Sequence, residues 1–192
     1  MSKFASFAEY PPRSLAGAEA ALLTAWASLE RFQDELVLVG GLAVKCLTKP
    51  GVGLLPGPVT TVVEGKDLFG VAQKTTVPVS GIGALLVLKL NAFAGRQQPK
   101  DAYDILLGVS RYVDGPEAAI ASFQAEAAAK NRGYGRAAET LRRHFFEAGQ
   151  SGPLRSAAFA LEGQTGIEDF RTRQSQIVEQ VVTIGRALIG ER

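Results

Sequence analysis

Residues 59–63 read Val59-Thr60-Thr61-Val62-Val63, and residues 71–79 read Val71-Ala72-Gln73-Lys74-Thr75-Thr76-Val77-Pro78-Val79. β-Branched side chains crowd a helical turn but pack well on a pleated surface, so both runs read as strands. Pro78 has no backbone donor and points to an edge or a strand end. Glu64 to Gly70 reads as the turn between them. Upstream, Pro50, Gly51, Gly53, Pro56, Gly57 and Pro58 break any helix. Further back, Glu35-Leu36-Val37-Leu38-Val39 is a short apolar run ending in Gly40-Gly41. It predicts a buried strand, Leu36–Val39, at the centre of the same sheet. Leu42 to Leu47 reads as a short helix leaving that strand.

Helical spacing dominates elsewhere. Ser14 is expected to cap a helix running to about Phe32, with Leu15, Ala18, Leu22, Ala25 and Leu29 on one face and Trp26 packing it onto the sheet. Gly83 to Gly95 reads as a second helix. Pro99 opens a third, carrying Tyr103, Leu106 and Leu107. Asp114-Gly115-Pro116-Glu117 predicts a helix start with Asp114 as the capping acid. Tyr134, Ala138, Leu141 and Phe145 stripe another helix, closed at Gly149. Ser151 and Pro153 open the next, which Gly163 closes. Phe170, Ile177, Val181, Ile184 and Leu188 stripe a long last helix. Strands confined to about residues 35–80 imply an α+β fold: a small mixed sheet with flanking helices, then a helical C-terminal lobe. The expected division is an α/β core over 1–110 and the helical lobe over 111–192.

Composition narrows the chemistry. The 192 residues are 46% hydrophobic and 21% charged, which excludes global disorder. One Cys and one His exclude a disulfide framework, a Cys-rich zinc site and a His-cluster metal site. What remains is carboxylate chemistry with hard cations. A net charge of +2 is no global nucleic-acid footprint, although a local basic patch stays open. The longest apolar run, Gly81 to Leu88, is far short of the roughly 20 residues a spanning helix needs. The N-terminus lacks a basic segment followed by an apolar one. A soluble, cytoplasmic protein without a membrane partner is expected.

Two segments carry candidate chemistry. In Val39-Gly40-Gly41-Leu42 two glycines between a strand and a helix let backbone amides approach an anion; a tight turn is the alternative. In Lys89-Leu90-Asn91-Ala92-Phe93-Ala94-Gly95-Arg96, followed by Pro99-Lys100-Asp101-Ala102-Tyr103-Asp104, Lys89 and Arg96 share one helix face. Asp101 and Asp104 share a face of the next helix. Such a Lys and Asp can orient a triphosphate or move a proton; an interhelical salt bridge is the alternative.

Together, the Gly-Gly turn and the pattern Lys-Leu-x-Ala-x-x-x-Arg-x-x-x-Lys-Asp-x-x-Asp resemble the nucleotidyltransferase fold of the AbiEii toxin type. The resemblance covers roughly residues 30–108 by motif and extends weakly to Gly115-Pro116 and the C-terminal helices. It implies a small mixed sheet with a helical lobe, a nucleoside triphosphate substrate and Mg²⁺ as cofactor. It further implies a tRNA end or a protein hydroxyl as acceptor, and an antitoxin partner. By resemblance Gly40 and Gly41 contact phosphates, and Lys89 and Arg96 bind nucleotide. Lys89 and Asp101 are the catalytic candidates, and Asp104 supports them.

The chain departs from the family's pattern at the metal-binding acids. The family carries Asp-x-Asp on the strand after the glycine turn. Here Lys45 to Val63 contains no acid, and Asp-x-Asp occurs nowhere. Gly53-Leu54-Leu55 stands where the family has an Asp-Leu-Leu strand. The metal ligands are therefore unassigned and weak nucleotidyl transfer is expected. A degenerate nucleotide-binding or protein-interaction module of the same fold is the alternative.

Other residues read as structural. Glu64 and Asp67 are the only acids between Glu35 and Asp101 and read as solvated turn charges. Arg132, Arg136, Arg142 and Arg143 form either an RNA surface or a solvated face. Cys46 reads as packed. His144 has no Ser or Cys partner at recognisable spacing and reads as a surface or packed helix residue.

Overall fold

The structure, a computed structural model, describes residues 12–29, 31, 33, 36–39, 43, 59–162 and 169–191. Helix α1 (Pro12–Ser28) precedes strands β1 (Val59–Lys66) and β2 (Ala72–Val79). Six helices follow: α2 (Ile82–Arg96), α3 (Pro99–Ser110), α4 (Pro116–Ala128), α5 (Tyr134–His144), α6 (Ser151–Leu161) and α7 (Phe170–Leu188). Among the described residues the α+β layout is as expected from the sequence.

β1 and β2 form an antiparallel hairpin in register Val59↔Val79 to Lys66↔Ala72. β1 runs to Lys66, so the turn is shorter than the expected Glu64–Gly70. Asp67 builds it: Oδ1 accepts from the amides of Phe69 and Val71, and Oδ2 from Gln73. Burial acts to raise the Asp67 pKa, but these donors outweigh it and hold the carboxyl below its ordinary range. Alternation does the rest. Val63 and Val77 point inward against Leu23 and Trp26 of α1, while Val62 points out.

Leu36–Val39 is not the central strand. Among the described residues only Leu38 pairs, through a single parallel bridge to Val79. Its amide donates to the Pro78 carbonyl, and its carbonyl accepts from Ser80. β2 therefore lies in the middle, and Val37 and Val39 are 41% and 50% exposed. A short apolar run predicts burial only where both faces are covered, and here the face that carries Val37 and Val39 is open. Of the expected helix Leu42–Leu47 only Ala43 is described; it is helical and fully buried.

The helix ends differ in detail. α1 starts at Pro12, which puts Ser14 inside the helix, and it ends at Ser28. α4 is capped by Gly115 at φ 92°, with no side-chain cap bond. Asp114 is thus outside the cap, because that left-handed backbone suits glycine alone. α5 ends with Phe145 as its cap rather than at Gly149. Gly163 lies outside the described residues.

α2 is the spine. Leu85, Leu86, Leu90 and Phe93 are almost fully buried, and α2 touches α3, α4 and α5. One apolar core joins α2 and α3 to Phe123, Leu141, Phe145, Val181 and Leu188. α6 packs on α3 and α7.

Candidate functional site

The pattern Lys-x₆-Arg-x₄-Asp-x₂-Asp becomes a helical corner. Gln97, in the left-handed conformation at φ 46°, ends α2, and Pro99 at the first turn starts α3. Lys89, Phe93 and Arg96 recur at i, i+4 and i+7 on α2, facing the first turns of α3. Asp101 lies at the positive end of α3 and Arg96 at the negative end of α2, so both helix dipoles favour their pairing.

The contacts form one network. Arg96 grips Asp101 with two bonds, Nε to Oδ2 at 2.6 Å and Nη2 to Oδ1 at 2.8 Å. Lys89 Nζ meets Asp104 Oδ2 at 2.5 Å and stands 3.6 Å from Asp101 Oδ1. Lys100 Nζ reaches the same Asp104 oxygen at 2.7 Å. Lys89, Asp101 and Asp104 are 8%, 1% and 7% exposed, whereas the Arg96 side chain is 60% exposed. The bond to Asp101 raises the Arg96 pKa above its usual value, more than burial lowers it. Tyr103, between the two acids in sequence, has its phenol pKa raised, first by burial and then by Asp104.

The structure thus brings Lys89, Arg96, Asp101 and Asp104 together. Asp104 is the nearer acid to Lys89, and Lys100 joins as a third cation that the sequence reading left unassigned. Its spacing of four from Asp104 on one helix was the available signal. Gly40 and Gly41 lie outside the described residues.

A family model described as "Nucleotidyl transferase AbiEii toxin, Type IV TA system" matches residues 51–183. The chain belongs to the AbiEii nucleotidyl transferase toxin family. The span matched to the AbiEii family holds β1, β2, the whole charged corner and most of α7, and it begins after Gly40-Gly41. None of the curated proteins and none of the solved structures compared matches the chain. Among the described residues no helix is long and apolar enough to cross a membrane.

Nucleotidyltransferases generally use a divalent metal, as the AbiEii family implies. The corner does not fit one. Both oxygens of Asp101 are taken by Arg96, and Asp104 Oδ2 is shared by two ammonium groups. A hard dication needs several oxygen donors, and three cations around two carboxylates repel it. Among the described residues no group of three or more His, Cys, Asp or Glu is placed to hold a metal. Glu64 is paired with Lys74 at 3.1 Å, and Asp67 is committed to the hairpin turn. Arg143 and Arg142 likewise pair with Glu139 and Glu191, which favours the solvated face over an RNA surface there.

Proposed function

We propose that this AbiEii-family chain binds a nucleoside triphosphate at the α2–α3 corner and transfers a nucleotidyl group to an RNA or protein acceptor as a toxin component. The observation that carries the reading is the five-charge network of Lys89, Arg96, Lys100, Asp101 and Asp104. Buried ion pairs rarely repay their desolvation, and apolar residues of similar size hold two helices together at least as well. A dense charged corner inside an apolar core therefore points to ligand handling. Arg96 spends one edge of its guanidinium on Asp101, and its exposed remainder is the phosphate-facing group. Lys89 supplies charge from beneath, and Asp101 and Asp104 fix its position. Gly40 and Gly41 are proposed to contribute backbone amides.

The second reading is a nucleotide-binding module without catalysis. It is favoured by the lack of Asp-x-Asp in the sequence and by the poor fit of the corner to a metal.

Equilibrium dialysis of the full chain against each labelled nucleoside triphosphate, with Mg²⁺, tests the binding. Loss of one charge-assisted contact is worth about 1.5–3 kcal/mol, so Lys89→Ala should weaken binding by about tenfold or more. Retained affinity in a folded Lys89→Ala variant rejects the site. Transfer of label to total tRNA or to protein separates the enzyme from the module.

A further inference from the structure

His144 closes α5 and Ser151 opens α6. The corner between them brings His144 Nδ1 to 2.9 Å from Ser151 Oγ. That corner is tied down independently. The amides of Phe146 and Glu147 donate to Gln150 Oε1, and Gln150 Nε2 reaches the Arg142 carbonyl. The imidazole is oriented by an edge-on contact with Phe93, ring centroids 5.7 Å apart. Phe93 lies one turn after Lys89 on the same face of α2, so the pair adjoins the helix that carries the charged corner.

The chemistry of the two groups is complementary. Burial, and then the charge of Arg143, lower the His144 pKa below its ordinary value, which keeps a lone pair available near neutral pH. The hydroxyls of Ser110 and Ser122 donate back to the carbonyls of Leu106 and Ala118, a common use of serine in helices. Ser151 instead meets the one imidazole in the chain. A hydroxyl within hydrogen-bond reach of a neutral imidazole is the core of an activated nucleophile. Negative charge arriving on Ser151 would also meet the positive end of α6.

We propose that Ser151 is an acceptor hydroxyl, with His144 as its general base, for a nucleotidyl group from a nucleoside triphosphate. This rests on the nucleotide-binding reading above. Ser151 Oγ bonds to the α-phosphorus as the bond from that phosphorus to the β-bridging oxygen breaks. Pyrophosphate leaves with the electron pair. The hydroxyl proton passes to His144 Nδ1 and then to solvent. The product is a nucleoside monophosphate ester on Ser151.

Three measurements on the full chain test the assignment: covalent labelling by a fluorophosphonate probe, peptide mass spectrometry after incubation with each nucleoside triphosphate and Mg²⁺, and equilibrium dialysis of the same nucleotides. The probe should modify Ser151 and spare Ser110 and Ser122. His144→Gln should slow that labelling by about 100-fold, the lower end of general-base effects. One nucleoside monophosphate should appear on Ser151 and vanish in Ser151→Ala, with nucleotide affinity retained. The acceptor assignment is overturned by equal probe labelling in His144→Gln, by failure of the probe at Ser151, or by bound nucleotide without the Ser151 ester. Absence of nucleotide binding overturns it together with the reading on which it rests, and dialysis separates that outcome from the others.

Discussion

Between α2 and α3 contact is made by charge: Arg96 forks onto Asp101, and Lys89 and Lys100 converge on Asp104. Where α5, α6 and α7 meet, contact is made by shape. Phe145, almost fully buried, packs edge-on against Phe93 and fills the space left by two glycines. A Cβ on Gly152 would lie 2.5 Å from the Phe145 ring, and one on Gly185 would lie 2.7 Å from the Phe145 carbonyl. Both junctions belong to one core. The aromatic one gains free energy from every contact. The charged one must first offset the loss of hydration, and returns little beyond that. A core that keeps both separates what holds it from what it presents.

Phe145→Ala is expected to have the largest effect, about 3–5 kcal/mol of lost stability, read by denaturant unfolding. Asp101→Ala should cost less, about 2–3 kcal/mol, below the upper range for breaking a buried pair. Lys89 keeps Asp104, and the exposed Arg96 can return to water. The reverse order would show that charge, not shape, carries the fold. Gly83→Ala sharpens the steric side. Helix propensity alone would return less than the roughly 1 kcal/mol of a helix interior, because Gly83 is the second residue of α2. The new methyl would press on the Ser122 backbone, 2.7 Å from its carbonyl carbon. Overpacking of this kind costs about 1–3 kcal/mol, so a net loss of about 1 kcal/mol is expected.

A smaller effect concerns pH. The folded pKa of His144 lies below its unfolded value near 6.5, so the unfolded chain binds the proton more readily. The contribution is present above that unfolded value and fades as pH falls through it toward the folded one. Unfolding curves between pH 7.5 and about 5 should lose this component in His144→Gln. The smallest effect belongs to Lys74→Ala. Its exposed pair with Glu64 should leave stability within about 0.5 kcal/mol of the parent.

Local pattern made much of this legible. The β-branched runs placed β1 and β2, and the helical stripes placed α2 to α7 within a few residues. The spacing of Lys89, Arg96, Asp101 and Asp104 brought the charged corner into view, because helical phase fixes which side chains share a face. What failed depended on packing and loop geometry that a periodic pattern does not carry. The position of Leu36–Val39 in the sheet is set by what covers each face, and among the described residues Leu38 alone pairs. Asp101 and Asp104 occupy one face, so phase could not say which lies nearer Lys89. The His144–Ser151 pair spans a loop held by Gln150, where no periodicity applies. Asp114 lost the cap to Gly115 because its neighbour's φ of 92° turns the chain away.

The link between α2 and α3 consists of Gln97 and Gln98 alone, with Gln97 left-handed and its amide bonded to the Phe93 carbonyl. Such a link behaves like a gear tooth. One residue more or less inside α3 ahead of Asp101 would turn the following side chains by about 100° and carry both carboxylates off Lys89. Substitution at Gln97 acts on a left-handed backbone, and glycine there would relax it. Drift in this stretch is therefore held more tightly in length than in letters. Relatives that preserve the charged corner should be recognisable by an invariant count from Lys89 to Asp104, even where Gln97 and Gln98 have been exchanged.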